Sequence, residues 1–152
     1  MARVCSGQEI AKFVKGLIHE KTQIQEHAVD LTLRSVFKLT ERGSLDFGGS
    51  EYKPCEGDKI APQKRKPEDK YGWWELDAGD YVLEYNETIV LSENMMGILQ
   101  PHHRLVMAGA VHNDHLLIYP DHHPAALLHV GPRGLSIKEN ARVSQIIVID
   151  LS

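Results

Sequence analysis

The sequence predicts an all-β fold, a distorted barrel or jelly-roll-like double sheet with one short helix at its N-terminus. Three observations predict it. Short apolar or alternating runs recur at roughly 8–12-residue spacing. Turn-forming residues stand between those runs. Helical periodicity is confined to one stretch near the N-terminus.

Taken in order, Ser6-Gly7-Gln8-Glu9 reads as a capping box, in which Ser6 accepts from the backbone near Glu9 and Glu9 reaches back. Ile10, Phe13, Val14 and Leu17 then recur at helical spacing, with Gly16 as the expected terminator. Ala28-Val29-Asp30-Leu31-Thr32-Leu33 alternates and predicts a strand that Ser35–Leu39 continues or follows. Residues 41–72 are rich in Gly, Pro and charge and predict a long excursion with at most one weak hairpin. Its Lys64-Arg65-Lys66 run reads either as a phosphate contact or as a solvated loop tip. Trp73-Trp74 either cover the barrel or stack on a base. A turn over Leu76–Asp80 leads to a strand at Tyr81–Tyr85, a turn at Asn86-Glu87 and a strand at Thr88–Leu91. Met95–Leu99 is a short apolar run. Gly131-Pro132-Arg133-Gly134 is a turn, not a phosphate loop, because no strand-loop-helix context follows it. Arg142–Leu151 closes the chain with a buried-strand composition.

The 152 residues fit one domain, residues 1–152, large enough to bury a core without staples. Lys plus Arg number 17 and Asp plus Glu 21, a net charge of −4 that argues against a general nucleic-acid binder while leaving room for one phosphate site. No apolar run approaches the roughly 20 residues of a membrane helix. The N-terminus lacks the apolar centre of a signal peptide. Cys5 and Cys55 are too few for a disulfide framework or a zinc ribbon. The expected location is therefore the reducing cytoplasm. Histidine is the compositional oddity: seven of nine lie between His102 and His129.

Three ordered stretches resemble the superfamily of deoxycytidine triphosphate (dCTP) deaminases and trimeric deoxyuridine triphosphatases (dUTPases). They are Ile24–Leu33 with its Ile-Gln and Val-Asp-Leu, Leu76–Leu83 followed by Thr88–Leu91, and Ala141–Ile146 with its Gln145. The resemblance spans nearly the whole chain. It implies a dUTPase-like roll, a homotrimer with sites between subunits, and a deoxynucleotide ligand. It also implies a C-terminal arm closing over nucleotide in many relatives, which a chain ending at Ser152 is expected to lack.

At the positions that resemble the family's site, this sequence departs from the pattern. The Arg-Ser-Ser triplet that holds phosphates falls on Pro101, His102 and His103, and the motif's second Arg falls on Val106, leaving Arg104 as the nearby guanidinium. Val111-His112 resembles a Val-His pair of the deaminases, and Gln145 a family Gln near phosphate. Tyr119 stands where the triphosphatases keep their water-activating acid, and His129 where the deaminases keep a Glu. Tyr119 is neutral near pH 7 and a poor base; stacking, ligand bonding and plain packing are its other readings.

These replacements leave three functions open. The first is a deoxynucleotide-metabolism relative with an altered, His-rich pocket and weak or lost standard activity, ligand contacts coming from His102, His103, Arg104, His112 and Gln145. In it a metal-free His129 acts as general base. The second is a non-catalytic trimeric binding module. The third is a metal-dependent hydrolase in which His102, His115 and His129 converge on a divalent ion (Zn, Fe, Ni, Mn or Mg) with Asp114 or Asp121 in support.

Overall fold

The computed structural model describes residues 1–118 and 121–152. Its first elements are β1 (Arg3–Val4), α1 (Gly7–Ala11), β2 (Val14–Lys15), α2 (Glu20–Gln23) and β3 (Val29–Leu39). There follow β4 (Gly57–Ile60), β5 (Trp73–Leu76), β6 (Gly79–Tyr85), β7 (Thr88–Val90), β8 (Met95–Pro101) and α3 (His103–Met107). The chain continues through β9 (Ala110–His112), β10 (His115–Ile118), β11 (Asp121–His122), β12 (Ala125–Val130), β13 (Leu135–Lys138) and β14 (Arg142–Asp150).

The main sheet runs β10-β8-β14-β3-β6-β12-β9, with β1 on β14 and β4 on β3. The pairings described are all antiparallel. β3 holds the two halves together. Its first residues pair with β14 and its later ones with β6 and β4. The change of partner falls at two register shifts, between Leu33 and Ser35 and between Arg142 and Ser144. A bulge bends a strand and increases its twist, which is how one strand serves both faces of a roll. β3 is accordingly buried on both faces over Val29–Leu33, and Leu31, Leu83, Leu99, Leu128 and Ile146 meet in the core. The curled sheet is all-β and jelly-roll-like, as the strand spacing predicts.

The capping box forms as expected: Glu9 N–H donates to Ser6 Oγ at 3.2 Å, and Ser6 N–H donates to the Glu9 carboxylate at 3.2 Å. The helix is shorter than its periodicity suggests. It ends at Lys12, and Val14 enters β2 against β7 instead of a further turn. Position 7 needs glycine because a Cβ there would lie 1.7 Å from the carbonyl oxygen of Gln25. The 41–72 excursion is more structured than expected, with β4 on β3 and bridges Ser44–Lys53 and Gln63–Trp73. Trp73 and Trp74 lie within β5. Trp74 is buried and its indole N–H donates to Ile60 O at 2.8 Å, so it packs the core. Trp73 is half-buried beneath the Arg65 guanidinium, 3.6 Å from the ring centre. Among the described residues no helix is long and apolar enough to cross a membrane.

Candidate functional site

β3 and β14 pair with Asp30 opposite Gln145, and β8 brings Pro101 opposite Ser144. This register places a carboxylate, an amide and the start of α3 together. Asp30 is fully buried and accepts from Arg142 at 3.0 Å, Gln145 at 3.0 Å and Gln25 at 3.1 Å. A buried acid needs such partners, because an unmatched charge in the interior is costly.

His102 sits above this cluster and is only 4% exposed. Its Nδ1 accepts from Arg104 N–H at 3.1 Å and so caps α3. That leaves the proton on Nε2, which faces Asp30 Oδ2 at 3.6 Å. Burial pushes the ring's pKa down, and Asp30 pulls it part of the way back. His103, the first residue of α3, is exposed and stacks on His102 with ring centres 4.6 Å apart. The His102-His103 doublet thus splits inward and outward, but at a helix start and not along a strand. α3 ends on Gly109, whose φ of +104° suits the left-handed position after a helix.

A second buried chain of hydrogen bonds lies beside the first. Tyr85 OH meets Ser144 Oγ at 2.5 Å, and Ser144 Oγ meets His112 Nε2 at 2.7 Å. His112 Nδ1 lies 2.8 Å from Asn113 O, a carbonyl that can only accept. The proton of neutral His112 is therefore on Nδ1, Ser144 donates to Nε2, and Tyr85 donates to Ser144. Burial holds His112 below the ordinary imidazole pKa and pushes the Tyr85 phenol well up. His112 is 3% exposed and Ser144 fully buried, so the single chain keeps this chain of bonds inside.

The outer rim is built differently. His129 on β12 lies directly opposite Asp80 on β6 and opposite Val111 on β9. Its Nδ1 is 2.5 Å from Asp80 Oδ1, and both side chains are half exposed. The ring lines an open cavity of about 310 Å³ with Val106, Gly109, Ala110, Val111, Val130 and Gly131. Beside it, across α3, a cavity of about 300 Å³ is lined by Arg104 and Arg142 over Leu105, Leu135, Ile137 and Val143. Arg142 is already matched to Asp30, whereas Arg104 is exposed and forms no ion pair among the described residues. Two guanidinium groups over an apolar wall suit an anion joined to a flat organic ring.

His102, His115 and His129 do not converge within one chain. His102 points inward beneath α3 and His129 outward from β12. His115 Nδ1 lies 3.3 Å from Ala125 O, and His129 is four residues further along the same strand. At about 3.3 Å per residue that is roughly 13 Å, far beyond the reach of ligands sharing one ion. Among the described residues no group of three His, Cys, Asp or Glu could hold a metal. Tyr119 and Pro120, with the side chains of Asp121 and His122, lie outside the described residues.

Sequence reasoning named His102, His103, Arg104, His112, Gln145 and His129 but missed Asp30, Arg142 and Asp80. An acid inside the apolar run Val29–Leu33 is itself a signal, since a buried carboxylate requires donors. Asp80 gives no such signal, because its partner is 49 residues away.

No protein-family model matches the chain. Over 159 residues it is 31% identical to the "Probable deoxyuridine 5'-triphosphate nucleotidohydrolase" of Archaeoglobus fulgidus, covering 98% of this chain and 89% of that one. A protein of the same name from Methanosarcina mazei is 27% identical over 156 residues, covering 97% and 88%. The fold matches the crystal structure of 2'-deoxycytidine 5'-triphosphate deaminase from Agrobacterium tumefaciens with a TM-score of 0.65 at 13% identity. That match covers 98% of this chain and 48% of the deaminase, so this chain spans about half its length. The chain belongs to the deoxyuridine triphosphate nucleotidohydrolase family.

Proposed function

We propose that this protein is a trimeric deoxynucleotide-binding member of its family in which standard triphosphate hydrolysis or deamination is weak or lost. The observation that carries the reading is the cavity of about 300 Å³ in which Arg104 and Arg142 stand over an apolar wall. Phosphate oxygens pair with the exposed Arg104 guanidinium, and Arg142, steadied by Asp30, supplies a second, partly neutralised charge. Gln145 fixes Asp30, so its part is to hold the site in shape.

Water activation falls to His129, brought to the phosphates of one chain from a neighbouring copy in the trimer, because within one chain its groove and the Arg104–Arg142 cavity are separate. Hydrolysis of a phosphoanhydride forms a bond from water oxygen to phosphorus and breaks the phosphorus–oxygen bond to the departing phosphate. The water proton passes to His129 Nε2. An imidazole in an open groove is a modest base, which fits slow turnover. Assembly into trimers is supported by the apolar surface around His129, where Val106, Val111 and Leu127 are exposed.

Steady-state turnover of dUTP and dCTP by the purified protein tests this reading, alongside thermal shifts with each nucleotide. Stabilisation follows RT ln(1 + [L]/Kd). The expected result is stabilisation with little turnover. Turnover at ordinary enzyme rates, about 1–1,000 s⁻¹, overturns the loss of activity, and absence of any shift overturns nucleotide binding.

A further inference from the structure

We infer that Asp80 is the positioning residue of His129, fixing the imidazole as its Nδ1–H tautomer so that Nε2 presents a lone pair to the groove. The inference deepens the functional reading above and rests on it for the role of His129. Its geometry is independent of that reading.

The register of β6 and β12 sets Asp80 directly across from His129 on the outer face of the sheet. Directly opposed side chains on one face meet without reaching, so the pairing follows from the backbone. The carboxylate accepts only, so the 2.5 Å contact requires a proton on Nδ1. In the neutral ring that leaves Nε2 as the acceptor, because the bond made by one ring nitrogen sets the state of the other. On the ring's other flank stands Val111, which offers no competing donor or acceptor. Among the described residues lining the groove of about 310 Å³, His129 is the one with a polar side chain. Among the described residues Nε2 has no protein partner. An exposed carboxylate–imidazole pair adds little to stability. Its consequence here is orientation: a ring that would otherwise turn about χ2 and exchange tautomers is held with one nitrogen aimed outward.

The chemical role follows. When Nε2 takes the water proton, the ring becomes an imidazolium with N–H on both sides. Asp80 keeps accepting from Nδ1–H and stabilises that charge, and it does not itself take the proton. In this role Asp80 acts through His129, as a positioning residue.

The test uses the full-length protein labelled with ¹⁵N. Long-range ¹H–¹⁵N correlation at a pH where the ring is neutral reports the tautomer, with H129Q assigning the signal. The expected wild-type result is Nδ1–H. D80A should convert the ring to a mixture dominated by Nε2–H, and D80E should restore Nδ1–H in part. Residual kcat should fall on the order of tenfold or more in D80A with KM unchanged, and D80E should recover part of it. Nε2–H in the wild type, or a D80A spectrum equal to wild type, overturns the inference. A changed tautomer with kcat unaltered overturns the catalytic part of it. Thermal shifts with dUTP and dCTP on the same variants separate the two claims: loss of nucleotide binding in the wild type defeats the functional reading, while the tautomer result stands by itself.

Discussion

Four histidines of the site, His102, His112, His103 and His129, divide into two pairs with opposite surroundings. His102 and His112 are interior, each with a ring nitrogen already committed to a hydrogen bond, and burial disfavours their charged forms. His103 and His129 are on the rim, where one stacks on a buried neighbour and the other pairs with Asp80. A His-rich segment is therefore not one site. The interior rings answer the demand that buried polar atoms be partnered, and the rim rings are the ones a ligand can meet. The described residues contain no buried side-chain nitrogen or oxygen without a partner.

Removing Asp30 should break this division most severely. Asp30→Ala strands Arg142, Gln145, Gln25 and the Nε2 edge of His102 at once. Urea unfolding should show a loss of about 3–5 kcal/mol. A loss below about 0.5 kcal/mol, the size of a surface change, would mean that the cluster is not interior. Ser144→Ala comes next. It leaves Tyr85 OH and His112 Nε2 facing a methyl group and should cost about 1–3 kcal/mol by the same assay.

The interior rings also predict an acid dependence whose sign can be stated. Their pKa values in the fold are depressed, so the unfolded chain takes up protons first as pH falls through about 6.5. Stability present above that pH is lost progressively, until the folded rings themselves protonate. The melting temperature should drop between about pH 7 and pH 5, and His112→Gln should flatten that slope. Equal slopes would exclude His112 as a source. The exposed rim should matter least to stability. His129→Ala should change stability by about 0.5 kcal/mol or less; a larger loss would mark it as a structural residue.

The strands were legible where one face or both are apolar: β3, β6, β7 and β14 follow from alternation and turn residues. α1 is shorter than its pattern because Phe13 and Val14 satisfy a sheet edge as well as a helix face, and pairing with β7 decides. α3 was illegible, since five residues, His103–Met107, are too few to show a period. His102, His115 and His129 do not meet within one chain for a geometric reason. Spacing in sequence does not say that one ring caps a helix while another stands four residues down a strand. The Asp30 cluster and the Asp80–His129 pair depend on register between distant strands, which composition does not encode.

The most direct test of the account is equilibrium binding of a non-hydrolysable deoxynucleoside triphosphate to the wild type and to Arg104→Ala, measured calorimetrically. Saturable binding by the wild type is expected, weakened about ten- to hundredfold in the variant by the loss of one charge-assisted hydrogen bond. Equal affinity for the two proteins, or no binding by the wild type, would contradict it.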